Sequence, residues 1–271
     1  MYADTLEGFA RTADRKIAAM RRAPGAFFVA SMLAGAYVGM GILLIFTLGS
    51  QVPKEVQKLV MGATFGIALT LVVLAGAELF TGHTMFMLLR RFSGSGNWND
   101  VGVSWVMTWI GNLAGAAVLV ALFKFGGGGG LLSAPDTLVM NVAAAKMSAS
   151  ALALFARGIL CNWLVCLALW MSARVSSDSA KCIAIFWCLL AFIACGFEHS
   201  VANMTVLGLA LAGEHPETVT WAGAVYNLVW VTLGNIVGGG VFVAGAYWVA
   251  THGFGAAEAL PAAMVAPGKA D

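Results

Sequence analysis

Long apolar stretches alternate with short polar ones along the chain, at about residues 25–48, 59–77, 103–123, 151–173, 183–211 and 219–250. A run of roughly 18 or more apolar residues forms a helix able to cross a hydrocarbon core about 30 Å thick. The pattern therefore predicts six transmembrane helices, separated by segments that hold most of the charges and turn residues. Two of the six are interrupted. Ala77-Glu78-Leu79-Phe80-Thr81-Gly82-His83-Thr84 follows the second stretch, and Gly196-Phe197-Glu198-His199-Ser200 lies inside the fifth. Each sets a carboxylate, a histidine and a glycine at mid-membrane depth. Freed backbone and ionisable side chains cannot face lipid, so both breaks must be buried in protein or line a cavity.

The two halves of the chain repeat. Gly-x-Glu at Gly76 and Gly196 is followed by Gly-Asn-x-x-Gly, with Asn112 placed 34 residues after Glu78 and Asn235 placed 37 residues after Glu198. Three spans per half is an odd number, so the second half is upside down relative to the first, about a pseudo-two-fold axis in the membrane plane. The expected fold class is all-α integral membrane: six transmembrane helices in an inverted 3+3 repeat, with broken helices 2 and 5 meeting at the midplane. The repeats cover about residues 25–125 and 150–250 of a channel domain spanning 25–251.

Flanking segments differ in composition. Asp4, Glu7, Arg11, Asp14, Arg15, Lys16, Arg21 and Arg22 make residues 1–24 a charged amphipathic segment, expected to lie on the cytoplasmic membrane surface and unlike a cleavable signal. Residues 252–271 are rich in Ala, Gly and Pro and are expected to be a disordered cytoplasmic tail. The five-glycine run Gly126 to Gly130 is expected to be an exposed flexible connector. Arg11, Arg15, Lys16, Arg21, Arg22, Arg90, Arg91, Arg174, Lys181 and Lys269 fall on one side, against Lys54, Lys58, Lys124 and Lys146 on the other. That excess puts both termini in the cytoplasm.

Composition narrows the function. Of the 271 residues, 60% are hydrophobic and 10% charged, whereas soluble domains carry about 25% charged residues. A net charge of +2 gives no nucleic-acid footprint. Cys161, Cys166, Cys182, Cys188 and Cys195 sit in or beside apolar segments without zinc-ligand spacing and read as packing residues. No metal or other cofactor is expected.

Glu78-Leu79-Phe80-Thr81-Gly82-His83-Thr84-Met85 and Gly196-Phe197-Glu198-His199-Ser200-Val201-Ala202-Asn203-Met204 resemble the signatures of the formate/nitrite transporter family, over roughly residues 20–250. Cys161-Asn162-Trp163-Leu164-Val165 and the wording of both loops are most similar to its nitrite channel branch. The resemblance implies an aquaporin-like protomer in a homopentamer, each protomer with its own pore for small monovalent anions such as nitrite, formate or hydrosulfide, in a bacterial inner membrane. It also implies functional roles for Thr81, His199, Lys146 and Asn235, and slits on either side of the histidine built from Leu79, Phe80, Val165, Phe192, Phe65 and Leu69.

Read as chemistry, each residue keeps a plainer alternative. His199 can donate to an anion or hand it a proton, or merely tie the broken helix to its neighbour; the repeat favours the former. Thr81 can bond His199 or substrate, or its own preceding carbonyl. Asn235 can reach the substrate, or glue helices as its counterpart Asn112 would. Lys146, in a segment too short to span, can draw anions inward or snorkel to the headgroups. Glu198 and Glu78 would repel an anion and are expected to bond backbone donors or hold His199. Apolar slits around a polar chamber make a bare anion cross dry gaps, and a protonated acid passes more easily.

Other classes fit less well. An ammonia channel would want paired midplane histidines and an acidic funnel, and a water channel would want Asn at the start of both half-helices. For an enzyme or metal site from His83, His199, Glu78 and Glu198, the sequence implies no water-accessible cleft. The expected activity is passage of a small anion, nitrite first.

Overall fold

A computed structural model describes residues 2–253. The tail expected to be disordered lies outside the described residues from position 254 onward. Among those described, regular structure is entirely helical: α1 (Ala3–Arg22), α2 (Pro24–Gly49), α3 (Lys54–Gly76), α4 (Phe80–Phe92), α5 (Trp98–Phe125), α6 (Leu138–Ser148), α7 (Ala151–Ala173), α8 (Asp178–Ala194), α9 (Ser200–Ala212) and α10 (Trp221–His252). Five of them, α2, α3, α5, α7 and α10, are long and apolar enough to cross a membrane. The fifth apolar stretch of the sequence is two shorter helices instead, α8 of 17 residues and α9 of 13.

The interruptions have the same cause. Gly76 and Gly196 adopt φ of +85° and +74°, conformations open to glycine and costly for residues with a Cβ. Each ends its helix, and the next amide reaches back five residues, Ala77 to the Val72 carbonyl at 3.1 Å and Phe197 to the Phe192 carbonyl at 2.9 Å. Extended backbone follows, and Leu79 and His199 then stand at the N-caps of the short helices α4 and α9.

Packing follows one plan twice. α2 lies against α5 and α7 against α10, while α4 packs on α10 and α9 on α5, with α3 and α8 side by side at the centre. The crossings are backbone-close. A Cβ on Gly35 would land on the Asn112 carbonyl, one on Gly115 on the Met32 carbonyl, and one on Gly234 on the Phe155 carbonyl. Small residues at crossings are how apolar helices gain contact where no hydrophobic drive separates protein from lipid.

Two expectations are corrected. α1 is amphipathic, but its apolar face packs on protein: Leu6, Phe9, Ala13, Ile17 and Met20 are buried with Met85, Leu89 and Trp170, and the Phe9 ring stacks on Trp170 at 5.5 Å. The reason is electrostatic as well as apolar. Arg90 of α4, largely buried, needs acidic partners, and finds Asp14 of α1 at 2.6 Å and Asp100 of α5 at 2.8 Å; Asp100 also pairs with Arg21 of α1. The glycine run is also no loose connector. Gly127, Gly128 and Gly129 take φ of +98°, +68° and +51°, Gly128 N–H caps α5 through the Phe123 carbonyl, and Leu131 beyond them is buried.

Gly234→Val should force α7 and α10 apart at an overpacking cost of about 1–3 kcal/mol or more, read as a lower thermal midpoint in detergent. Gly8→Ala, where a Cβ meets nothing within 4 Å, should leave that midpoint unchanged or raise it.

Candidate functional site

The breaks expose backbone groups inside an apolar body, and each group must find a partner. Two asparagines each supply two of them. Asn112 Oδ1 accepts from Phe80 N–H at 2.9 Å, and its amide donates to the carbonyls of Glu78 (3.0 Å) and Ser31 (2.7 Å). Asn235 Oδ1 accepts from Ser200 N–H at 2.8 Å, and its amide donates to the carbonyls of Glu198 (3.0 Å) and Gly158 (2.8 Å). Glu78 N–H is taken by the Ala30 carbonyl and Glu198 N–H by the Arg157 carbonyl. The two breaks are thus splinted by the same set of bonds.

Between the breaks lie three cavities in a row. A vestibule of about 470 Å³ is lined by Phe9, Thr12 and Lys16 of α1 together with Glu78, Leu79, Gly82, His83 and Lys181. A central chamber of about 10 Å³ follows, walled by Val38, Phe65, Ala68, Leu69, Leu79, Val165, Leu189, Phe192 and His199. A second vestibule of about 180 Å³ holds Lys58, Lys146, Asn203, Phe192 and His199. Leu79 is common to the first two, and Phe192 and His199 to the last two. The chamber has room for about one water, so an ion passing through it would have to shed its shell.

His199 is the polar group in that chamber. As N-cap of α9, its Nδ1 accepts from Ala202 N–H at 3.1 Å, which in the neutral ring leaves the hydrogen on Nε2. Nε2 lies 3.2 Å from Thr81 Oγ1 and is the group that a guest would meet. A second proton, at Nδ1, would have to displace the cap bond. Phe192 stacks on the imidazole at 6.1 Å and meets Phe65 edge-on at 5.5 Å, so slit and histidine are one packed unit.

Each vestibule carries a carboxylate–lysine pair. Lys146 donates to Glu198 at 2.7 Å, and Asn203 donates to the same oxygen at 2.6 Å. Lys16 of α1 donates to Glu78 at 2.5 Å, and His83 lies 2.6 Å from that oxygen. Neither carboxylate stands as a bare charge facing the cavities.

His199 and Lys146 therefore line the row, Thr81 and Glu198 bond to them without lining a cavity, and five of the six slit candidates wall its chamber. Three readings change. Asn235 commits both ends of its amide to backbone and lines none of the three cavities, so its part is to hold the break. Phe80 turns away from His199 into a groove between α5 and α10, with Trp105 and Trp109, because its residue sits on the opposite side of α4 from the chamber. Glu198 bonds Lys146 and Asn203 rather than His199, and Glu78 bonds Lys16 and His83 rather than backbone donors. The bonds made by Lys16, His83 and Asn162 were not expected from the sequence, and Asn227 was not singled out. Asn227 was findable: it stands eight residues before Asn235, as Ser104 does before Asn112, on the same helix face.

The model of one protein family, described as formate/nitrite transporter, matches residues 3–249. The chain belongs to the formate/nitrite transporter family. That membership places it among transporters, as a multi-pass membrane protein. The nitrite transporter NirC of Escherichia coli (strain K12) is 52% identical over 251 residues, covering 93% of each chain. Among solved structures, an ion channel of the same family superposes with a TM-score of 0.90 at 51% identity, covering 92% of this chain and 99% of that one. A pentameric formate channel with formate bound gives 0.73 at 28% identity, over 86% and 99%. The family match takes in α1, in keeping with its docking on the body of the protein.

Asn112→Ala and Asn235→Ala each strand a buried amide and carbonyls, at about 1–3 kcal/mol per group. Both should lower the thermal midpoint in detergent by similar amounts. Asn141→Ala, which removes an exposed bond to the Asp136 carbonyl, should change it little.

Proposed function

We propose that the protein is a channel for small monovalent anions, nitrite first, and that the three cavities are its path. The observation that carries this reading is the position of His199, which lines a narrow, mostly apolar chamber between two vestibules that each hold a lysine. Lys146 and Lys16 raise the local potential for anions, while their pairing with Glu198 and Glu78 keeps either vestibule from becoming a tight trap. The amide ends of α4 and α9 point positive dipoles at the midplane. Thr81 and His199 then give an unhydrated anion hydrogen-bond donors, and a proton taken up at His199 Nδ1, with loss of the cap bond, would let Nε2 pass its own to the anion and leave a neutral ring, easing the crossing of the slits.

The matched splints and packing support an inverted repeat of six spans, counting α3 with α4 and α8 with α9 as the two broken ones. Residues 25–251 form the channel domain, with repeats of about 25–125 and 150–250. Similarity to NirC favours nitrite. A homopentamer is supported by the pentameric formate channel neighbour and by the apolar groove between α5 and α10, about 570 Å³, left uncovered in the single chain. The distribution of Lys and Arg supports an inner-membrane orientation with both termini in the cytoplasm.

The test is anion flux into proteoliposomes, comparing nitrite, formate, hydrosulfide and ammonium. Wild-type protein should carry nitrite fastest. His199→Ala removes a hydrogen bond to a charged guest, worth about 1.5–3 kcal/mol, and should slow nitrite tenfold or more; Thr81→Val should slow it less. Formate outpacing nitrite would reassign the substrate, and ammonium flux without anion flux would refute the reading.

A further inference from the structure

We infer that His83, with Glu78 and Ser104, is a second proton-binding site of the path, seated in the vestibule under α1, and that it makes anion entry from that side alone rise with acidity. This rests on the proposed anion path.

The two vestibules are built to one pattern that different side chains fill. In one, Glu198 bonds Lys146 and Asn203, the residue five further on, and Asn203 also bonds Asn227 of α10 at 2.8 Å. In the other, Glu78 bonds Lys16 and His83, again five further on, and His83 Nδ1 lies 2.7 Å from Ser104 Oγ of α5. Ser104 and Asn227 each stand eight residues before the asparagine that splints the break. An amide that cannot titrate thus holds one vestibule, and an imidazole that can titrate holds the other.

The surroundings of the two histidines differ in what they tolerate. His199 Nδ1 accepts from a fixed backbone N–H, which has no way to turn. His83 faces groups that serve either protonation state. Ionised Glu78 only accepts, so Nε2 carries a hydrogen throughout. Ser104 has a rotating hydroxyl that donates to bare Nδ1 or accepts from a protonated one. Charged groups around the site are few. α1 brings Lys16, the break brings Glu78, and Lys181 lines the same vestibule; α2 offers the Phe27 ring, at 5.9 Å, and α4 the Phe86 ring, at 6.3 Å. The Arg90 pairs with Asp14 and Asp100 sit two turns further along α4. With His83 neutral, Lys16 and Glu78 cancel. A proton on His83 adds one uncompensated positive charge inside a low-dielectric cleft, where such a charge concentrates anions.

The experiment is recording in planar bilayers with nitrite as the permeant anion, lowering pH from 8 to 5 on one side at a time. Wild-type protein should show nitrite entry from one side rising about tenfold more than entry from the other, a size typical of focused fields in clefts. His83→Asn should bring this ratio between sides near one. His83→Asn that keeps the wild-type ratio, or wild-type protein with no difference between sides, would overturn the inference. Should His83→Asn fail to assemble, Asn203→His decides. Acid dependence appearing on the formerly indifferent side supports the inference, and its absence overturns it. Wild-type protein that carries no nitrite at either pH would refute the proposed channel itself, a result distinct from nitrite current lacking the side difference.

Discussion

Everything in this molecule depends on backbone polar groups that have no water to turn to. A helix interrupted inside an apolar body leaves amides and carbonyls bare, and each left unpaired costs more than most packing contacts return. Asn112 and Asn235 answer that constraint from the neighbouring helices, joined by the carbonyls of Ala30 and Arg157. Asn162 adds a third tie, donating to the Thr81 and Asn235 carbonyls and to the Thr84 hydroxyl. Because these bonds fix where α4 and α9 begin, they also fix where Leu79 and His199 stand. The site is a by-product of satisfying the break.

Matched packing in the two halves builds the scaffold, and on the proposed path the departures from it supply the chemistry. The central chamber is lined by both members of three matched pairs, Val38 with Val165, Leu69 with Leu189 and Leu79 with His199, and by Phe65, Ala68 and Phe192 besides. Only the last pair is unlike. One side of the chamber is closed by a plain apolar group, the other by a ring that donates a hydrogen bond. The outer shells repeat the lesson, with a lysine in each vestibule carried on unrelated helices: α6 for Lys146 and α1 for Lys16. Two solutions to the same electrostatic need were found by different parts of one chain.

What the sequence made legible was whatever repeats or runs long. Apolar stretches announced the spans, and Gly-x-Glu with Gly-Asn-x-x-Gly announced the breaks and their splints, because both are local patterns with a local physical cause. The role of Asn235 was open between guest and backbone, since an amide can serve either until its partners are seen. Partners far apart in sequence stayed hidden: Lys16 meets Glu78 across 62 residues, and Arg90 meets Asp14 across 76. Amphipathicity showed that α1 has an apolar face without showing what covers it. The direction of Phe80, just after the break, depends on the rotation at which α4 restarts, which no composition encodes. The glycine run looked loose because glycine serves flexibility and strained turns alike, and three successive positive φ values decide for the turn.

On the proposed path, the smallness of the central chamber, about 10 Å³, also sets the arithmetic of traffic through it. A chamber with room for one guest cannot hold a queue, so no second ion is present to push the first onward. Opposing one-way fluxes through such a point depend on the ratio of concentrations to the first power, and a guest resident from one side excludes arrivals from the other. A slow-leaving look-alike would therefore act as a plug from either face, whichever vestibule it entered by.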